Sequence, residues 1–347
     1  MKKLISGRAD AFCSRTLRRA VPVVLLVFTA AGAFAKKAPA WIDNPYSGYD
    51  EKSYICAVGA GLKSDDADKK ALSDVAAVLQ QNISSVEVAQ QAAFSEGLNL
   101  SSYLADVTTQ SDIKNISGLS IKERYKDKKN GCYSLAVLDK GVASKSYSLL
   151  LNKNSLEIES LLDLAEQKSG SLDECRNLIQ AYKITRENDY YASLLAVLKP
   201  AAHHSFSYGS SGEISARIKK AFGKITVSVL VNGDSDGRIS AAAGEAINGF
   251  GFRTQDGAAA KNAAYSFTAD VSFEDIEKSE SSDIYFTRCI VSWSLKEVSS
   301  GNTVLTSSGN SRQGKLSRAE ARQSAVRAAE TFVKENFSSQ ITQLFEK

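Results

Sequence analysis

Short apolar runs of strand character alternate along this chain with longer stretches in which apolar residues recur every three or four positions. Tyr54-Ile55-Cys56-Ala57-Val58-Gly59 is a continuous apolar run ended by Gly59 and Gly61, the pattern of a buried strand. Ser64 then caps a helix in which Leu72, Val75, Ala76 and Leu79 share one face. Ile83 to Val88 alternates as a strand does, and Leu98 to Lys114 reads as helical. Leu119 to Tyr125 and Cys132 to Leu138 flank the polar stretch Lys126 to Gly131, which predicts a hairpin.

The spacing changes near residue 148. Leu149, Leu156, Ile158, Leu161, Leu162 and Ala165, then Leu178, Ile179, Tyr182, Leu194 and Leu198, fall at helical intervals and predict a helical hairpin broken near Ser169 to Ser171. Pro200 to Gly212 is rich in small polar residues and reads as a linker. Beyond it, Ile225 to Val231 is a β-branched strand turning at Asn232-Gly233-Asp234, and Asp236 caps a helix bearing Ile239, Ala243, Ala246 and Ile247. Phe267 to Phe273, Tyr285 to Leu295 and Thr303 to Ser307 form a meander. Ser317 and Glu320 make a capping box for a last helix whose Ala325, Ala328, Phe332, Ile341 and Leu344 share a face. The fold class expected is α+β: two α+β domains with antiparallel sheets, over 36–147 and 201–347, joined by a helical segment over 148–200.

The N-terminus has a different character. Lys2, Lys3, Arg8, Arg15, Arg18 and Arg19 precede an apolar run from Ala20 to Ala35 that closes on Ala33-Phe34-Ala35. A charged region, a short apolar region and a small-residue cleavage site make a secretory signal peptide over 1–35, cleaved after Ala35. The run is about 16 residues long, short of the roughly 20 a membrane-spanning helix needs, so no transmembrane helix is expected after cleavage. The expected location is the periplasm. Cys13 precedes the apolar run, where a lipid-bearing cysteine would follow it, which argues against a lipid anchor.

Charge and composition then narrow the chemistry. The signal region holds six of the 43 Lys and Arg and one of the 39 Asp and Glu, so the mature chain has 37 basic against 38 acidic residues, a net charge of −1. That balance gives no reason to expect nucleic acid. The only two histidines, His203 and His204, are adjacent in the linker, which leaves a serine or cysteine nucleophile elsewhere without a histidine base. No catalytic residue, cofactor site or metal site is assigned. Gly59-Ala60-Gly61 lacks the third glycine of a phosphate-binding turn and is followed by Asp65, Asp66 and Asp68, so it reads as a tight turn. Asn232-Gly233-Asp234-Ser235-Asp236-Gly237 has oxygen donors but no bidentate acid at calcium-loop spacing. Lys126-Asp127-Lys128-Lys129 reads as a solvated hairpin tip. Of the mature cysteines Cys56, Cys132, Cys175 and Cys289, none forms a C-x-x-C pair. Two readings stay open for Cys56 and Cys132, both in strand-like runs: a disulfide between them, or buried thiols acting as small hydrophobes.

The first domain resembles the lipoprotein-20 family of bacterial envelope proteins. The likeness, over about 39–145, rests on Pro39-Ala40-Trp41-Ile42 with Pro45, Tyr54 through Val58-Gly59-Ala60-Gly61, the helix with Ala67 and Ala71, and Cys132-Tyr133-Ser134-Leu135-Ala136-Val137-Leu138-Asp139-Lys140. The resemblance implies periplasmic or outer-membrane residence and, in some relatives, a part in structures around the flagellar motor. Many members are lipoproteins, and this signal ends without a cysteine, which argues for peripheral rather than direct membrane association. The function expected is a non-enzymatic structural or interaction protein of the envelope, with envelope proteins or its own copies as partners. Two rivals stand beside it: a periplasmic ligand-binding module or hydrolase with a carboxylate-based site between the domains, and a pore-associated or secretion-related subunit.

Overall fold

A continuous apolar strand must be buried on both sides, whereas an alternating strand needs cover on one side only. The computed structural model of the chain follows that division. It describes residues 38–87, 116–127, 131–200, 205–257, 262–277 and 283–346. The signal region with Ala35, the expected helix over 98–114 and both histidines lie outside the described residues.

After a single turn at Ala40–Ile42, β1 (Tyr54–Gly61) leads into α1 (Ser64–Glu87), and the hairpin β2 (Leu119–Asp127) and β3 (Gly131–Asp139) completes a three-stranded antiparallel sheet of order β1-β3-β2. Ala71, Val75 and Leu79 of α1 pack with Ala136 and Leu138 on one face of β3. Trp41, with Ile42, Tyr46 and Tyr49, closes the other face over Cys56, Leu135 and Val137. Leu135, Ala136, Val137 and Leu138 are consequently all buried. The strand expected at Ile83 to Val88 is absent, since α1 runs on through Glu87. Alternation over so short a stretch does not outweigh a helix already propagating through it.

Asp139 ends β3 and accepts the Val142 amide at 2.9 Å, so α2 (Lys140–Gln167) starts eight residues earlier than the apolar spacing suggests. The hairpin turns at 168–171 into α3 (Leu172–Leu198), which Ser171 caps through the Glu174 amide. This pair is a beam that enters both cores. Ala143, Tyr147, Leu151, Leu194, Leu195 and Leu198 pack against the three-stranded sheet. At the far end Ile158, Leu162, Leu178, Ile179 and Tyr182 join the second core. The boundary expected at 147 falls inside α2, and residues Pro39–Lys347 form one compact unit.

The stretch read as a linker is partly structured. Phe206 stacks on Tyr208, and Ser210 opens α4 (Ser211–Phe222) with a reciprocal capping box to Glu213. Next come β4 (Thr226–Asn232), α5 (Arg238–Gly249), β5 (Arg253–Asp256), β6 (Tyr265–Ile276), β7 (Tyr285–Glu297), β8 (Thr303–Lys315) and α6 (Arg318–Glu346). The five strands order as β5-β4-β6-β7-β8. The α+β class holds, but this sheet is mixed: β4 runs parallel to β5 and β6, and only β6, β7 and β8 form the expected meander. The reason is α5, because a helix between two strands returns the chain to the starting end of the sheet and makes the pair parallel. Strand β5 is too short, at four residues, to have shown a period.

The cap expected at Asp236 is placed differently. Gly237 occupies the N-cap with φ 69°, and Asp234 reaches past it to accept the Ser240 amide at 2.7 Å. In α6 the buried residues are Ala321, Ala325, Ala329, Val333, Phe337, Ile341 and Phe345. A step of four residues overshoots one turn by about 40°, so this stripe winds around the helix as it follows a twisted sheet. The expected face kept Ala325 and Ile341 and missed the drift. Phe337 meets Phe267 and Trp293 in the centre of this core.

Candidate functional site

The meander places alternate residues on opposite sides, and all the covering helices lie on one of them. Inward residues of β6 and β7, Phe267, Ala269, Val271, Cys289, Val291, Trp293 and Leu295, are buried. The outward residues form rungs across the strands. One runs Leu230, Thr268, Ser294, Thr306; the next Asn232, Asp270, Ser292, Ser308; then Ser272, Ile290, Asn310; then Glu274, Arg288, Arg312. Short hydroxyl and amide side chains thus dominate the middle of a broad, open sheet face. Each hydroxyl can both donate and accept, and none projects far enough to hold another surface off the backbone.

Glu274, Arg288 and Arg312 gather at one end of that face, with Asp270 in its middle and Lys296 at the opposite end. Glu274 and Arg288 approach to 3.6 Å across β6 and β7, and the Arg312 guanidinium lies 3.8 Å from the centre of the Phe286 ring. Asn232 Nδ2 donates to Asp270 Oδ1 at 2.8 Å. Strand β8 borders the face, and no strand among the described residues pairs with its outer side. Its 13 residues make a long edge, moderated by Arg312 and Lys315 at one end and by Gln340 of α6, which donates to the Thr306 carbonyl at 3.3 Å.

The second polar concentration is buried. Asn188, fully buried on α3, donates through Nδ2 to the Tyr208 hydroxyl at 3.1 Å and reaches Ser155 Oγ and the Leu151 carbonyl at 3.5 Å. The next residue, Asp189, pairs with Arg186 at 3.2 Å, and burial pushes its carboxyl above the usual carboxylate range against the opposing pull of Ser211 and Arg186. This polar layer ties α2, α3 and the segment entering α4 together at the junction of the two cores. It is the structure's nearest approach to the carboxylate site expected between domains. Most of its groups bond to one another, while Asn188 Oδ1 and Arg186 Nε are buried without a hydrogen-bond partner among the described residues.

The sequence candidates fall into place as packing devices. At Gly59 a Cβ would stand 2.2 Å from the Ala67 carbonyl oxygen and 2.3 Å from the Ala71 amide, so glycine there lets α1 lie directly on β1. Asp68 is held by Arg124 at 2.8 Å and by the Ser134 hydroxyl at 2.6 Å; the arginine holds its carboxyl below the usual range and fastens α1 to β2 and β3. Cys56 and Cys132 are both free and buried. Cys56 sits opposite Val137 and Cys132 opposite Gly61, five positions apart and on opposite faces of the sheet. A disulfide needs Cα atoms within about 7 Å, so the bridge alternative is corrected in favour of buried thiols. Burial pushes the Cys56 and Cys289 thiols up to about 11. Among the described residues no group of three or more His, Cys, Asp or Glu is placed to hold a metal, and no helix is long and apolar enough to cross a membrane. Sequence reading missed the open face because its rungs join residues from four strands, although the alternation of β6 and β7 already marked one side as polar.

No family model matches the chain, and no curated protein matches it. Among solved structures the secreted protein HP1454 from the human pathogen Helicobacter pylori is similar over 83% of this chain and 98% of its own, at 12% identity and a TM-score of 0.43. The PelC dodecamer from Paraburkholderia phytofirmans is similar over 33% of this chain and 86% of its own, at 19% identity and a TM-score of 0.25. Rare lipoprotein B from Shewanella oneidensis covers 35% of this chain and 91% of its own, at 15% identity and a TM-score of 0.21. The first of these is described as a secreted protein and the last as a lipoprotein, and likenesses this distant assign no family.

Proposed function

We propose that this chain is a non-enzymatic, extracytoplasmic protein of the bacterial envelope that binds another protein, a second copy of itself or an envelope component, through the open face of its five-stranded sheet. The observation that carries this reading is the contrast within that sheet: one face covered by helices, the other an open face mostly of Ser, Thr and Asn with Leu230, Asp270 and Ile290 among them, bordered by the edge of β8 that no described strand pairs. The export signal ending at Ala35 supplies the compartment, the periplasm, with peripheral association at the outer membrane. Membership in the lipoprotein-20 family, and within it a place near the flagellar motor, is the narrower form of the same reading and rests on the resemblance of the N-terminal segment alone.

Absence of catalysis belongs to the proposal too. The groups whose ionisation is moved, among them Cys56, Tyr147, Cys175, Asp189, Tyr208, Tyr265 and Cys289, sit in packed cores or in the polar layer, and none of them lines the grooves beside Phe332, Asp234 and Lys145. Crosslinking of intact cells followed by capture of the tagged chain tests the reading. It should recover a discrete protein complex from the envelope fraction, with the captured chain starting at Lys36. A free monomer, or a chain that starts at Met1 among cytosolic proteins, would overturn it.

A further inference from the structure

Helix α2 buries Ala143, Tyr147, Leu151, Asn154, Ile158, Leu162 and Ala165 on one face. Seven residues make nearly two turns, so positions seven apart form a line that drifts only about 20° per step. Val142, Leu149 and Leu156 form such a line on the side facing away from the body, and they are 51%, 62% and 69% exposed. Lys145 and Lys153 flank the line on its two sides. Lys52 and Lys199 join Lys140 and Lys145 around the adjoining groove, of about 750 Å³, which also includes Leu149.

The charge order along α2 gives this surface its meaning. From Lys140 to Leu156 the helix carries three lysines and no acid, while Glu157, Glu159, Asp163 and Glu166 follow in the second half with no lysine. That order opposes the helix macrodipole, which favours acids at the N-terminus and bases at the C-terminus, so the lysines do not serve the helix. Lys140 is engaged, donating to the Glu51 carbonyl at 2.8 Å, and the nearby Asp139 carboxylate is occupied with the Val142 amide. Among the described residues no ion pair holds Lys52, Lys145, Lys153 or Lys199. An apolar line about 21 Å long, edged by unpaired cations, has the chemistry of an interfacial helix that inserts short apolar side chains between anionic headgroups.

We infer that the N-terminal half of α2 is a docking surface for an anionic phospholipid bilayer, and that it supplies the peripheral membrane contact of the proposed function. The inference rests on that reading only for where the membrane is met. Its test uses the purified exported protein and is silent on compartment, so failure here and failure of the envelope assignment stay distinct. Flotation with vesicles of phosphatidylglycerol and phosphatidylethanolamine should carry the protein upward, and vesicles of phosphatidylcholine alone should not. Lys145→Glu with Lys153→Glu, and separately Leu149→Gln with Leu156→Gln, should each lower the bound fraction by about tenfold, and salt near about 0.5 M should release the wild type. These side chains are exposed, so thermal unfolding of each variant should match the wild type; Leu230→Gln on the open sheet should float normally. Binding of both double variants at the wild-type level, or no binding of the wild type to anionic vesicles, would overturn the inference. So would a vesicle-free dimer that the Leu149 and Leu156 changes split into monomers, since a second copy would then cover the stripe.

Discussion

The two sheets of this protein are finished differently. The three-stranded sheet is closed on both sides, by α1 on one and by Trp41 with its tyrosine neighbours on the other. The five-stranded sheet is closed on one side and open on the other. A closed sheet has no surface left to offer, so its substitutions should be read in stability; an open one can be changed with little cost to folding, so its substitutions should be read in binding. Exposed polar strands are ordinary in antiparallel sheets, and the difference lies in the breadth of this face and the length of its free edge.

The sharpest way to break the comparison is at Gly59. Gly59→Val would drive side-chain atoms into the α1 backbone and should destabilise the protein by about 3 kcal/mol or more, read as a fall in the urea midpoint. Trp41→Ala should cost about 3 kcal/mol by opening the second face of the small sheet, although Trp41 lies outside every strand. A loss below about 1 kcal/mol would mean that this face is not closed in solution. On the large sheet Gly309→Ala meets the ring of Phe332 at 2.5 Å, a side chain with room to yield, and should cost about 1–2 kcal/mol.

The buried thiols give a smaller, pH-dependent effect. Cys56 in one core and Cys289 in the other hold pKa values of about 11, above the unfolded value near 8.5. In that interval the folded chain binds more protons than the unfolded one. The stability the two thiols contribute is therefore complete below about pH 8.5 and is lost as pH rises through about 11. Neutral thiols are also poor nucleophiles, so a thiol reagent at pH 8 should modify these cysteines only after denaturant is added.

How much of this was legible from sequence follows from the same contrast. The closed sheet announced itself in Cys132 to Leu138, a run apolar on both sides, and its hairpin partner was visible in the polar turn between the two strands. The beam of α2 and α3 was equally plain, because leucine spacing is a local signal. What stayed hidden is set by distance along the chain. The parallel pairing of β4 depends on α5 carrying the chain back, the winding stripe of α6 depends on sheet twist, and the rungs of the open face join residues up to 76 positions apart, from Leu230 to Thr306. The lysines of α2 were visible as residues, but only the structure sets Lys52 and Lys199 beside Lys140 and Lys145.

The smallest expected effect on folding is on the open face itself. Ser292→Ala should shift stability by less than about 0.5 kcal/mol in a thermal melt. A photoreactive amino acid placed in intact cells at Ser292 or Ser308 on that face, and at Lys168 in the turn between α2 and α3 for reference, addresses the assignment of the face directly. Positions 292 and 308 should yield the same discrete protein adduct and position 168 none. No adduct from the sheet face, or one ladder of adducts common to all three positions, would contradict its assignment as the binding surface.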